Sequence, residues 1–183
     1  MIDTVLFDLD GTLLWMDQDE FIKQYFGLIY QKFADYKGKE VVEATKNGVY
    51  AMIKNDGKKT NEQLFWETFE KAVVVDQEVT NRFNDLYEND FAQLKKYVSV
   101  NPYARIAINE LKAKGFTVVV CTNPLYPRVA TYMRLKWAGF TPDEFKLVTT
   151  YENSTFSKPN IDYYNEVLTK LDLNHNQCIM VGN

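Results

Sequence analysis

Val5-Leu6-Phe7-Asp8-Leu9-Asp10-Gly11-Thr12 is an apolar run that ends in two carboxylates, a glycine and a hydroxyl. The short, β-branched and apolar stretch from Ile2 to Phe7 reads as a buried strand that ends at Asp8. On an extended backbone, residues two apart point to the same side, so Asp8 and Asp10 address one site from the strand's exit. Gly11 then lets the chain turn without a side-chain penalty. Open α/β sheets bind their ligands at the carboxyl ends of strands. Two carboxylates there suit Mg²⁺, a hard cation that prefers oxygen ligands and keeps several waters.

Outward from this stretch, the hydrophobic period changes twice. From about Asp17 to Val98 the pattern is helical, with Phe21, Tyr25, Ile29 and Phe33 recurring every fourth residue. Gly38 and Asp56-Gly57 bracket a second helix carrying Val41, Val42, Val49 and Met52. Thr60 and Gln63 form a capping box that opens a third helix with Leu64, Phe65 and Phe69. Asp76 to Lys96 supplies a fourth, and the four in succession read as a small bundle. After Asn101-Pro102, strand and helix alternate: helix 103–114 closed by Gly115, strand 116–122, helix 127–138 closed by Gly139, strand 145–149, helix 159–171 and strand 177–181. Alternation of this kind means βαβ units, hence an α/β fold with a parallel Rossmann-like sheet flanked by helices. The helical stretch is an insertion after the first strand. The expected division is residues 1–14 and 99–183 for the α/β core and 15–98 for a four-helix cap.

Composition narrows the chemistry. A chain of 183 residues, 46% hydrophobic and 25% charged, has the balance of an ordinary globular domain. Its net charge of −4, with no basic stripe, argues against nucleic acid as a partner. No apolar run is long enough for a membrane span, and the first residues carry no secretory pattern. Cys121 and Cys178 each sit beside an apolar run and read as buried, reduced thiols, which fits the cytoplasm. The single histidine, His175, lies in the polar stretch Asn174-His175-Asn176-Gln177, read as a solvated loop. Ser-His-Asp hydrolysis and multi-histidine zinc sites are therefore hard to assemble. The chemistry must run on carboxylates, hydroxyls and lysine. Nothing in the composition sets an oligomeric state.

The order of these residues resembles the haloacid dehalogenase-like (HAD) superfamily, whose usual members are Mg²⁺-dependent phosphatases. Its first motif, Asp-x-Asp-x-Thr after an apolar strand, is matched by Asp8, Asp10 and Thr12. Its second, a hydroxyl at the end of the next core strand, is matched by Thr122 with Asn123 beside it. Its third, a lysine ahead of a helix, is matched by Lys158 in Ser157-Lys158-Pro159, with Pro159 expected at the first helical position. The helical insertion corresponds to the cap that the family places between its first two motifs.

The resemblance implies a role for each residue. Asp8 is the expected nucleophile, forming an aspartyl-phosphate. Asp10 is the expected general acid and base. Lys158 offsets the charge of the reacting anions, and Thr122, Asn123 and Lys158 hold the phosphoryl oxygens. Asp8, Asp10 and Asn183 are the expected metal-site residues, with Asn183 bordering a Mg²⁺ that it does not complete. The family's fourth, acidic motif falls where the sequence reaches Val181-Gly182-Asn183, so the chain is expected to be a fragment.

Departures from relatives refine the expectation. Dehalogenases and phosphonate-cleaving members of the family resemble this layout but usually replace the second aspartate. Sugar-phosphate mutases place a histidine in the cap, where this chain has none. Hydrolysis of a small phosphorylated metabolite is the reaction that remains. The alternative is a non-catalytic HAD-like protein that binds a ligand or partner. Trp15 and Met16, where the chain enters the insertion, are candidates for a hinge or a pocket wall.

Overall fold

The computed structural model describes all residues, Met1–Asn183. Three parallel strands form the central sheet: β1 (Thr4–Phe7), β4 (Thr117–Val120) and β5 (Cys178–Val181), in the order β4-β1-β5. Thr4 pairs with Thr117 on one side and Cys178 on the other, and Phe7 pairs with Val120 and Val181. All three strands therefore end at one edge, where Asp8, Thr122 and Asn183 emerge.

Alternation along these strands divides the core. Val5 and Phe7, with Val118 and Val120, face the larger apolar cluster. Leu6, Val119 and Cys121 face a smaller one with Tyr163 and Val167. Helices α5 (Ala104–Ala113) and α6 (Arg128–Trp137) cover the first face, and α7 (Ile161–Leu171) covers the second. Both faces of a parallel sheet must be buried in this way, which is why its strands read as continuous apolar runs.

Between β1 and α5 lie α1 (Gln18–Lys32), α2 (Gly38–Ile53), α3 (Asn61–Phe69) and α4 (Gln77–Glu88). Asp17 caps α1 by accepting from the Glu20 N–H, and Thr60 with Gln63 makes the full capping box on α3. The insertion shares the larger cluster with the α/β layer. Phe91 stacks on Trp137 of α6 with ring centroids 5.6 Å apart, and Tyr25 meets Tyr126 edge-on at 5.2 Å. Aromatic contacts thus join the two regions at the mouth of the sheet.

Several expectations need correction. The fourth helix stops at Glu88, and after Asn89, whose N–H still reaches Asp85 O at 2.9 Å, the chain tightens into a 3₁₀ run over Asp90–Tyr97. The entry and exit of the insertion are not plain linkers: β2 (Leu14–Met16) and β3 (Val98–Val100) pair antiparallel. Residues 145–149 do not form a regular strand, although Val148 bridges Val120 in parallel and Lys146 N–H reaches Val118 O at 2.9 Å. The ladder ends there because the Asn153 side chain takes both the Thr150 N–H and the Val148 carbonyl, turning the chain into a 3₁₀ turn. Pro159 is not the first residue of α7: the helix begins at Ile161, with Asn160 as its cap accepting from the Asp162 N–H at 3.0 Å. An asparagine at the cap satisfies an end donor that proline could not. Cys121 is buried as expected, but Cys178 is only partly so, because β5 lies at the sheet edge. His175 sits in a short 3₁₀ turn before β5. No helix is long and apolar enough to cross a membrane.

Candidate active site

The segment after β1 holds its shape through its backbone. Asp8 N–H continues the ladder to Val181 O at 2.9 Å, Leu14 N–H returns to Leu9 O at 2.9 Å, and Gly11 N–H reaches Leu14 O at 2.8 Å. Gly11 has φ +83°, the left-handed region that a side chain resists. A Cβ on Gly11 would lie 2.7 Å from the Asn183 side-chain nitrogen, which would have to swing aside. Asn183 therefore packs directly on the turn between Asp8 and Thr12.

Asp8, Asp10, Thr122, Asn123, Lys158 and Asn183 all line one cavity of about 300 Å³ at the carboxyl edge of the sheet. The six residues singled out from sequence, spread over the length of the chain, come together here. Lys158 Nζ lies 3.2 Å from Asp8 Oδ1, which also accepts from the Leu9 N–H at 2.8 Å. The Asn123 side-chain oxygen accepts from the Lys158 backbone N–H at 3.1 Å, so one loop orients the other. The Thr122 carbonyl accepts from the Thr149 and Tyr163 hydroxyls at 2.7 and 2.9 Å, anchoring the end of β4. Thr12 lies on the same turn but does not line the cavity. Met16 does line it, whereas Trp15 points elsewhere and is largely exposed.

One residue escaped the sequence reading. Arg134, only 1% exposed, forms an ion pair with Asp10 and lies over the Tyr126 ring at 4.3 Å. Its signal was present: Ala130, Arg134 and Ala138 share one stripe of α6, so the charge sits at an apolar-face position. Burial pushes the Asp10 carboxyl up from its usual range, with the Arg134 guanidinium opposing the shift. Asp10 Oδ1 is buried without a hydrogen-bond partner. The nearby Cys121 thiol is pushed up to about 12 by burial and is no nucleophile at neutral pH.

A carboxylate held beside an ammonium, a second carboxylate largely buried against a guanidinium, and a hydroxyl at a neighbouring strand end make a set suited to nucleophilic displacement. No group of three or more histidine, cysteine, aspartate or glutamate side chains is placed to hold a metal. Asp8, Asp10 and Asn183 each bring oxygen atoms to the lining of the cavity.

Solved structures share this fold along nearly the whole chain. A predicted phosphoglycolate phosphatase from Haemophilus somnus 129PT is 20% identical, with a TM-score of 0.57 over 100% of this chain and 77% of that one. CbbY from Rhodobacter sphaeroides, in complex with xylulose-(1,5)bisphosphate, is 17% identical, with a TM-score of 0.59 over 98% of this chain and 77% of that one. L-2-haloacid dehalogenase from Xanthobacter autotrophicus is 18% identical, with a TM-score of 0.51 over 98% and 69% respectively. At these identities the likeness is one of fold. A search of curated proteins finds no match. The profile of haloacid dehalogenase-like hydrolases, however, matches residues 2–183, and with that span the chain belongs to the haloacid dehalogenase-like hydrolase family.

Proposed function

We propose that this hydrolase is a Mg²⁺-dependent phosphatase that cleaves a small-molecule phosphomonoester through an aspartyl-phosphate. The observation that carries the reading is Asp10. A departing halide needs no proton, but a departing alkoxide does, and Asp10 stands two residues from Asp8 in the same cavity. Burial raises its carboxyl, which suits an acid that must hold a proton before giving it up.

Asp8 is the nucleophile: its carboxylate attacks phosphorus, and the P–O bond to the leaving alcohol breaks as Asp10 protonates that oxygen. Asp10, now ionised, takes a proton from water as the water attacks the aspartyl-phosphate, and Asp8 is regenerated. Lys158 neutralises part of the charge between the carboxylate and the incoming phosphoryl group. Thr122 and Asn123 orient the phosphoryl oxygens. Asp8 and Asn183 would hold Mg²⁺, since both offer hard oxygens, while Asp10 Oδ1, which has no other partner, is left for the proton. When bound there, the ion supplies further charge compensation for an anion attacking an anion.

Residues 1–14 and 99–183 form the catalytic core in this reading, and 15–98 form the cap over it. The two free cysteines and the net charge of −4 support a cytoplasmic enzyme of small metabolites rather than of nucleic acid. The test is phosphate release from a panel of phosphomonoesters, with and without Mg²⁺, for the native chain and Asp8→Asn. Mg²⁺-dependent release that Asp8→Asn abolishes is the expected result. Mg²⁺ binding without turnover on any ester would instead favour a non-catalytic binding protein.

A further inference from the structure

The cavity's two sides differ in chemistry. Asp8, Asp10, Thr122 and Asn123, with Arg134, Lys158 and Asn183, bring the charged and most polar groups and define its floor. Met16, Gln18, Phe21 and Ile22 from the entry to the insertion and Leu125 and Tyr126 from the loop after β4 make up the wall, whose polar groups are the Gln18 amide and the Tyr126 hydroxyl. Of the thirteen lining residues, the only cations are Lys158 and Arg134. Each is already engaged: Lys158 with Asp8 at 3.2 Å and Arg134 with Asp10. Arg134 is also sealed beneath the surface by the Tyr126 ring, with no side-chain freedom to reach a ligand.

A phosphoryl group on the floor would send the rest of the ester towards the apolar wall. A second anionic group on the substrate would there meet no unengaged cation and would lie beside apolar side chains, with water reaching it only at the rim where Gln18 and Ile22 are exposed. An unpaired charge moved into apolar surroundings is among the costliest burials in a protein. An apolar group in the same place gains from leaving water. The volume of about 300 Å³ is at the lower end for small-molecule sites, so the ligand is small. Gln18 spends one of its two amide N–H groups on the Asp10 carbonyl at 3.4 Å, so it offers a ligand one neutral donor and one acceptor but no charge.

Resting on the phosphatase reading above, we infer that the preferred substrate is a monophosphate of a small, uncharged and largely apolar alcohol. A bisphosphate or a phosphorylated carboxylic acid is disfavoured. Ile22, on α1 and facing the cavity from a partly exposed position, is the specificity-determining residue most open to change.

The experiment compares benzyl phosphate with 4-carboxybenzyl phosphate, esters of matched shape that differ by one anionic group. With Mg²⁺ and the full chain, kcat/KM for benzyl phosphate is expected to exceed that for the carboxylated ester at least tenfold. Ile22→Lys, which puts a cation on the wall, is expected to shrink that ratio about tenfold. Equal or faster turnover of the carboxylated ester by the native chain overturns the inference while leaving the phosphatase reading standing. A ratio unmoved by Ile22→Lys overturns the assignment of the wall. No phosphate release from either ester overturns the phosphatase reading and the inference with it.

Discussion

The side chain of Asn61 donates to the Ser157 hydroxyl at 3.1 Å, tying the first residue of α3 to the loop that delivers Lys158. The same amide donates to Pro124 O at 3.1 Å, in the loop that carries Thr122 and Asn123, and its oxygen accepts from Asn55 at 2.8 Å. Asn61 is fully buried, so none of these groups can turn to water instead. The helical insertion is therefore fastened to both loops of the site, in addition to the β2–β3 ribbon through which the chain enters and leaves it. Asn61→Ala should cost about 2–3 kcal/mol through the donors and acceptors it strands. Urea unfolding measures that cost, and kcat for a phosphomonoester should fall as the two loops lose their common anchor.

Arg134 holds Asp10 from beneath. Replacing it with methionine leaves a half-buried carboxylate without its counter-charge, a change expected to cost about 3 kcal/mol. Asp10→Asn in the same background should recover much of the loss, because an amide carries no charge to compensate. Denaturant midpoints of the single and double variants check the pairing; simple loss of packing would leave the second substitution without benefit.

Lys158 stands against the proposed nucleophile. Lys158→Met should lower kcat for phosphate release by two to three orders of magnitude, on the order of removing one preorganised charge from a transition state. Stability should also fall, by about 1–3 kcal/mol, because Lys158 and Asp8 are only 16% and 17% exposed and Asp8 loses its partner. Steady-state kinetics alongside thermal unfolding separates the two effects.

Two helical glycines should respond in opposite directions to alanine. A Cβ on Gly27 meets nothing within 4 Å, so Gly27→Ala should stabilise by up to about 1 kcal/mol through helix propensity. A Cβ on Gly48 would lie 2.5 Å from the Phe65 ring, which is wedged against Trp66, Phe69 and Tyr151. Gly48→Ala should therefore destabilise, by about 1–2 kcal/mol once overpacking has outweighed propensity. Chemical denaturation of both variants gives the signs.

Glu144 sets an acid-side dependence. The Arg105 guanidinium holds its carboxyl down from the usual 4.5 to about 2, helped by the Thr141 N–H. A carboxylate depressed on folding contributes stability that is fully present above its unfolded value and is lost as the pH falls towards the folded one. The stability gap between the native chain and Glu144→Gln should be steady above pH 4.5 and close between pH 4.5 and 2. A gap that stays constant across that window would remove Glu144 from the account.

Much of the framework is legible because its signals are local. The β1 run, the Thr60–Gln63 capping box and the glycines at 115 and 139, both with positive φ, each announce themselves within a few residues. Asp8 and Asp10 were legible because they stand at the exit of an apolar run, where parallel sheets gather their ligands, whereas Thr122, Asn123 and Lys158 stood out through the order of the haloacid dehalogenase-like motifs that they resemble. Pro159 misled, since a proline just before a helix and one at its first turn look alike until the cap is seen. The change from α-helix to 3₁₀ after Asn89 keeps the apolar residues Phe91 and Leu94 buried, so the hydrophobic period does not reveal it.

Arg134 shows where local signals stop. Its place on the apolar stripe of α6 follows from spacing, but its partner lies on a different element. The same holds for Asn61, whose three acceptors come from loops distant in the chain. Sequence alone was enough for the α/β class, the inserted helices and the residues at the strand ends, because backbone period and turn chemistry are short-range properties. Which cation faces which carboxylate, what ties the insertion to the site loops and how apolar the cavity wall is all depend on contacts between elements. Those contacts exist only once the chain has packed, so their identity lies in the folded arrangement.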